Sequence, residues 1–169
     1  MRIPISAGIL PAAWMKHREG LSRIAARHPA LFGEGADRPR DYDSVAGTYM
    51  EGTHTDAWGC VWSNMHSGME AIVTGHPVPT REAVRALELP RADIGFPHGF
   101  MYLRLLDLRG FEEAMTDFAE ELPELQLLID KVLEYNLRQA RLRLGRMAER
   151  REKDSLVVFG DDLGMQTGL

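Results

Sequence analysis

Two adjacent carboxylates, Asp161 and Asp162, follow an apolar run, SLVVF at 155–159, after the single residue Gly160, and precede a Gly-rich segment carrying Gly164 and Gln166. A carboxylate at the carboxyl end of a strand can stabilise positive charge or deliver a proton once partial burial adjusts its pKa. The run 155–159 is short, continuous and β-prone, as expected for a strand buried on both faces of a parallel sheet. Its carboxyl end is where α/β barrels and open α/β sheets gather their chemistry. Asp161 and Asp162 are therefore the catalytic candidates. Successive residues of an extended chain point to opposite sides, so one of the two would face a pocket. The alternative is that either carboxylate hydrogen-bonds loop amides or caps a helix. Gln166 adds a neutral donor and acceptor. His98, in the FPHG turn after a second expected strand, could donate a proton or bind a substrate carboxylate near neutral pH.

Metal chemistry finds little support in the spacing. The six histidines are scattered and Cys60 is the only cysteine, which also excludes an internal disulfide. His54 and Asp56 could share one face of a strand, but two ligands do not make a site, so no metal ligand is expected in this chain.

The elements that would position these groups alternate along the chain. A strand is expected over 3–9 and a helix from Pro11 to about His28, with Trp14, Leu21, Ile24 and Ala25 at helical spacing. WGCVW and MEAIV, separated by SNMHSG, read as a projecting β-hairpin, and REAVRALEL as a short helix after Thr80. A strand over 92–96 then leads to a helix, FMYLRLLDLR, closed by Gly110. Phe111, Met115, Phe118, Ala119 and Leu122 form the next apolar stripe. Pro123 opens a long helix with Leu125, Leu128, Ile129, Val132, Leu133, Leu137, Ala140, Leu144 and Met147 at three- and four-residue spacing. Strand, helices, strand is the order of a parallel crossover. The expectation is one α/β domain, 1–169, built as a partial (β/α)8 barrel with the hairpin projecting from it. Complete barrels take roughly 200 to over 400 residues, so about half of one fits this length.

Composition narrows the classes of function. A net charge of −5 and a pI near 5.7 argue against a nucleic-acid partner, which needs a dense basic face. No apolar run is long enough to cross a membrane, and MRIPISAGIL lacks the core of a signal peptide, so a cytoplasmic location is expected. The basic end of the long helix is interleaved with acids and reads as a solvated outer face. The nine dispersed methionines read as core filling.

Four segments, DAWGCVW, GHPVPTREAVRALELP, LRGFEEAMTDFAEELPELQLLIDKVLE and VVFGDDLGMQTGL, together resemble the uroporphyrinogen decarboxylase superfamily. Within it, the likeness is closer to the uroporphyrinogen-decarboxylase-like branch related to corrinoid-dependent methyltransferases, and it extends over nearly the whole chain. The resemblance implies the earlier half of a (β/α)8 barrel with a cleft at the strand ends, and tetrapyrroles or methyl donors as substrates. It places Asp56 and Trp58 in the family's acidic-Trp-Gly segment, as substrate contacts at the rim. Corrinoid-linked methyl transfer from a small methylated substrate is the first functional reading, because few arginines are expected near the strand ends to pair the carboxylates of an acidic tetrapyrrole. The alternatives are decarboxylation of uroporphyrinogen in porphyrin biosynthesis, a lyase reaction, or an inactive half-barrel that binds a ligand or partner. The resemblance further implies a corrinoid protein as partner and, for the complete methyltransferase, a zinc held by residues of the later half. A half-barrel would leave two sheet edges open, so self-association is also expected.

Overall fold

The computed structural model describes residues 7–33, 38–91, 93–96, 99–151 and 159–161. Three helices start on a proline in the first turn, where the missing N–H costs nothing: α1 (Pro11–Ala26), α2 (Pro29–Phe32) and α6 (Pro123–Glu149). α1 is interrupted at Arg18, whose φ of 43° and ψ of −127° lie outside the helical region. Between them come strands β1 (Gly52–Thr55), β2 (Val61–Asn64) and β3 (Ile72–Gly75), and helices α3 (Ala83–Ala86), α4 (Tyr102–Arg109) and α5 (Phe111–Ala119).

The barrel expectation is overturned. The strands form one open antiparallel sheet in the order β1-β2-β3, joined by the short connections 56–60 and 65–71, whereas parallel neighbours would need a long crossover. Around Ile94 the expected strand is replaced by a loop. Asp93 Oδ1 accepts the Gly95 N–H at 3.2 Å, Gly95 takes a φ of 78°, and Ile94 is 47% exposed. This local turn consumes the backbone group that a ladder would have used. No strand forms over 7–10; residues 3–6 and 155–158 lie outside the described part. β2 and β3 occupy the two runs read as a hairpin, each displaced toward its carboxyl end. The cause for β2 is Asp56, whose carboxylate folds 56–60 into a turn before the strand can begin. β1 was not expected.

The contacts sort into two compact units, Met1–His54 with Trp62–Ile72, and Thr55–Val61 with Val73–Leu169. In the first, α1 packs on α2, Ser22 meets the Tyr42 hydroxyl at 2.9 Å, and Arg40 lies over the Trp14 ring. Asn64 donates to the carbonyls of Thr48 and Met69, tying the loop before β3 to the segment before β1. In the second, α4, α5 and α6 pack on one another and α3 packs on α6. Their core is Val78, Val84, Leu105, Leu108, Ala114, Leu128, Val132 and Tyr135. Gly110, at a φ of 92°, turns the chain from α4 straight into α5. A Cβ there would come within 2.8 Å of Glu113 Oε2, the end of a flexible side chain that can move aside, so it is the positive φ that calls for glycine.

Two apolar stripes do not go where the periodicity points. On α5 the buried positions are Ala114 and Asp117, while Phe111 and Phe118 stay exposed. On α6 the buried set is Leu125, Leu128, Val132, Tyr135, Asn136 and Gln139, and Leu133, Leu137 and Leu144 face outward.

Candidate functional site

Helix α4 joins two constellations within the second unit. At its N-terminus, where amides have no partner inside the helix, the Asp161 carboxylate accepts three of them: Met101 N at 2.7 Å and Tyr102 N at 2.5 Å on Oδ2, and Leu103 N at 2.9 Å on Oδ1. A negative charge is favoured there by the helix dipole. One residue earlier, Phe100 N donates to Gly160 O at 2.9 Å. Phe96, Phe100 and Phe159 pack together around this junction, with ring centroids 4.5 to 6.0 Å apart. From α6, Tyr135 donates its hydroxyl to Gly95 O at 2.7 Å and Asn136 donates to Phe100 O at 2.5 Å. The segment entering α4 is thus clamped from both sides. Gly99, at a φ of 66°, is required because a Cβ would collide with Leu103.

The second constellation lies along the body of α4. Asp56 Oδ1 accepts Trp58 N and Cys60 N, both at 2.9 Å, and Oδ2 pairs with Arg104 Nη1 at 3.2 Å. The Arg104 guanidinium is buried, sits 5.5 Å from the centre of the Trp58 ring, and reaches Asp107 at 3.7 Å. The Trp58 ring meets Tyr135 edge-on at 4.7 Å. Cys60 Sγ donates to Asp107 O at 3.4 Å, and His76 Nδ1 lies 2.8 Å from the same carbonyl, which requires that nitrogen to carry the proton. Burial, and then the nearby Asp56 charge, push the Cys60 thiol up to about 12. Cys60 is therefore held as a buried thiol near neutral pH, its proton directed at the Asp107 carbonyl.

A third charged group locks α4 to α5. Arg109 Nε donates to Asp117 Oδ2 at 2.9 Å, and Arg81 Nε donates to Oδ1 at 2.9 Å. Arg109 also donates to the carbonyls of Val78 and Pro79. Burial pushes the Asp117 carboxyl up, but hydrogen bonds from the two arginines, joined by their charges, more than offset it and hold it below the usual carboxylate range.

Of the residues singled out from the sequence, Asp161 is found on the α4 amides and has the geometry of the capping alternative. Asp56 and Trp58 are drawn inward: Asp56 is half-buried under Arg104, and Trp58 is 4% exposed, so their geometry is that of positioning residues rather than rim contacts. His98, Asp162 and Gln166 lie outside the described residues. Among the described residues, Phe100 and Met101 meet Gly160 and Asp161. Sequence reasoning missed Arg104, Asp107, Arg109 and Asp117 as partners. Their signal was available: the charges alternate with Leu105 and Leu108 on α4, so that some must fall on its buried face.

Among the described residues there is no group of three or more His, Cys, Asp or Glu that could hold a metal ion. No helix among them is long and apolar enough to cross a membrane. Compared with protein-family models, with curated proteins and with solved structures, the chain finds no match.

Proposed function

We propose that this chain is a uroporphyrinogen-decarboxylase-like cytoplasmic enzyme that takes a methyl group from a small methylated substrate and passes it to a corrinoid carried by a partner protein. The observation that carries this reading is the commitment of the arginines on α4. Arg104 is paired with Asp56 and Asp107, and Arg109 with Asp117 and two carbonyls. A tetrapyrrole bearing many carboxylates needs guanidinium groups to receive them. On the helix whose N-terminus borders the loop junction, both are already neutralised, which favours a small methyl donor over uroporphyrinogen.

Within this reading Asp161 fixes the junction, and Asp162, next to it in sequence, and His98, two residues before Phe100, supply the ionisable groups. The chemistry asked of them is modest. When the bond between the methyl carbon and its heteroatom breaks, the departing heteroatom needs a proton, and a positioned acid delivers it; such a group contributes about 10²–10⁴ in rate. Gln166 offers an amide to orient the donor. No step passes through a metal bound to this chain.

The test is to mix the purified protein with reduced free cobalamin and, one at a time, methanol, methylated thiols and methylated amines, following the absorbance change to methylcobalamin. Uroporphyrinogen is incubated in parallel and its products are separated by chromatography. Methyl transfer without loss of tetrapyrrole carboxylates is the expected result. Carboxylate loss would replace this reading by decarboxylation, and inactivity in both assays would overturn it.

A further inference from the structure

Helix α6 has two apolar faces, and only one is used. The buried residues Leu125, Leu128, Val132, Tyr135, Asn136 and Gln139 mark the side turned to the core. On a flank about 120° round the helix from that side, Leu133, Leu137, Ala140 and Leu144 recur at alternating four- and three-residue spacing, the repeat of a seam between two helices. Leu133, Leu137 and Leu144 are 39%, 45% and 56% exposed, and Asp130, Glu134 and Arg141 lie beside the first two on the same surface of the helix. A solvated helix gains nothing from such a seam, whereas a second helix laid along it would remove three leucines from water.

The charges say which helix. Glu134 and Arg141 are exposed, flank the same edge of the seam, and are one heptad apart. In a parallel pair of copies Glu134 and Arg141 would lie beside Ile129 and Asn136 of the partner subunit, with no opposite charge to meet. In an antiparallel pair centred between Arg138 and Gln139, Leu133 opposes Leu144 of the partner subunit, Leu137 opposes Ala140 of the partner subunit, and Glu134 lies beside Arg141 of the partner subunit. The two-fold axis then repeats each contact. Along the whole helix acids outnumber bases in the first half (Glu124, Asp130 and Glu134 against Lys131) and arginines outnumber acids in the second (Arg138, Arg141, Arg143 and Arg146 against Glu149).

We propose that α6 is the dimerisation helix of this protein, pairing antiparallel with α6 of a second copy through Leu133, Leu137, Ala140 and Leu144. Asp130, at the next seam position, ends the apolar contact and is occupied by Gln126 of its own helix at 2.8 Å. The seam therefore spans about 18 Å of helix, at the low end of specific interfaces, which makes the dimer concentration-dependent rather than permanent. The proposal is independent of the chemistry proposed above.

Sedimentation velocity from about 1 to about 200 μM should show a monomer–dimer equilibrium with a dissociation constant in roughly the tens of micromolar. Leu137→Glu should abolish it. Glu134→Arg and Arg141→Glu should each weaken the dimer about tenfold, and the double exchange should return it to within about threefold of the parent. All four changes lie on the face away from the core, so far-UV circular dichroism and thermal melts should be unchanged, and this is checked in parallel. A monomer throughout the range, a dimer indifferent to Leu137→Glu, or a double exchange that fails to recover would each overturn the proposal.

Discussion

Replacing Asp161 by Asn separates a structural carboxylate from a catalytic one. In the parent, Oδ2 accepts two amides and Oδ1 a third, so every oxygen is committed to the first turn of α4. An asparagine keeps one acceptor. If its oxygen faces Met101 N and Tyr102 N, its NH₂ confronts the Leu103 N–H, donor against donor; the opposite flip loses two bonds instead of one. The charge at the positive end of the helix disappears in either case. Loss of a capping side chain costs about 0.5–2 kcal/mol, and because Asp161 is half-buried and charged, a value near the top, about 1–2 kcal/mol, is expected. At roughly 2–4 °C per kcal/mol for a chain of this size, the melting temperature should fall by about 2–8 °C. Asp161→Ala should behave similarly, which is the distinctive part of the argument, since an isosteric amide is ordinarily the milder change. Hydrogen exchange should locate the damage, with the amides of Met101, Tyr102 and Leu103 losing protection first. A variant with parental stability and exchange, but turnover reduced by about 10²–10⁴, would refute the cap and restore Asp161 as the acid–base group.

Two further outcomes follow from buried charge. Asp117→Asn leaves the Arg109 guanidinium buried beside a neutral amide and should destabilise the protein by about 3–5 kcal/mol in urea titrations. The Asp117 carboxyl is held below the usual range, so its contribution is complete above the ordinary carboxylate pKa of about 4 and is lost as pH falls through the depressed folded value; the variant should show a flatter acid limb, and an unchanged limb would discount the pair. Cys60, protonated up to about 12, should resist iodoacetamide at pH 8 in the native protein and react fully once denatured. Rapid native alkylation, read by mass spectrometry, would show that the thiol is neither buried nor held by Asp107.

What the sequence determined by itself is local. Pro123 and the three- and four-residue spacing beyond it specify α6, Gly110 specifies the break between α4 and α5, and the β-prone runs on either side of SNMHSG specify a hairpin connection, because each of these signals acts through backbone geometry over a few residues. The same locality explains the failure at Ile94. A strand pattern was present, but Asp93 and Gly95 close a turn within three residues, and a parallel neighbour would have had to be recruited across an entire crossover. Tertiary structure alone decided the partners: Asp161 finds the amides of α4 across 58 to 60 residues of chain, and Asp56 finds Arg104 across 48. It also decided which of the two apolar sides of α6 is buried. Both sides satisfy helical periodicity equally, and the choice went to the one whose Tyr135 and Asn136 can satisfy the carbonyls of Gly95 and Phe100. Helical periodicity marks both sides alike, so the choice between them waits on the segments that pack against the helix, and these are distant in sequence.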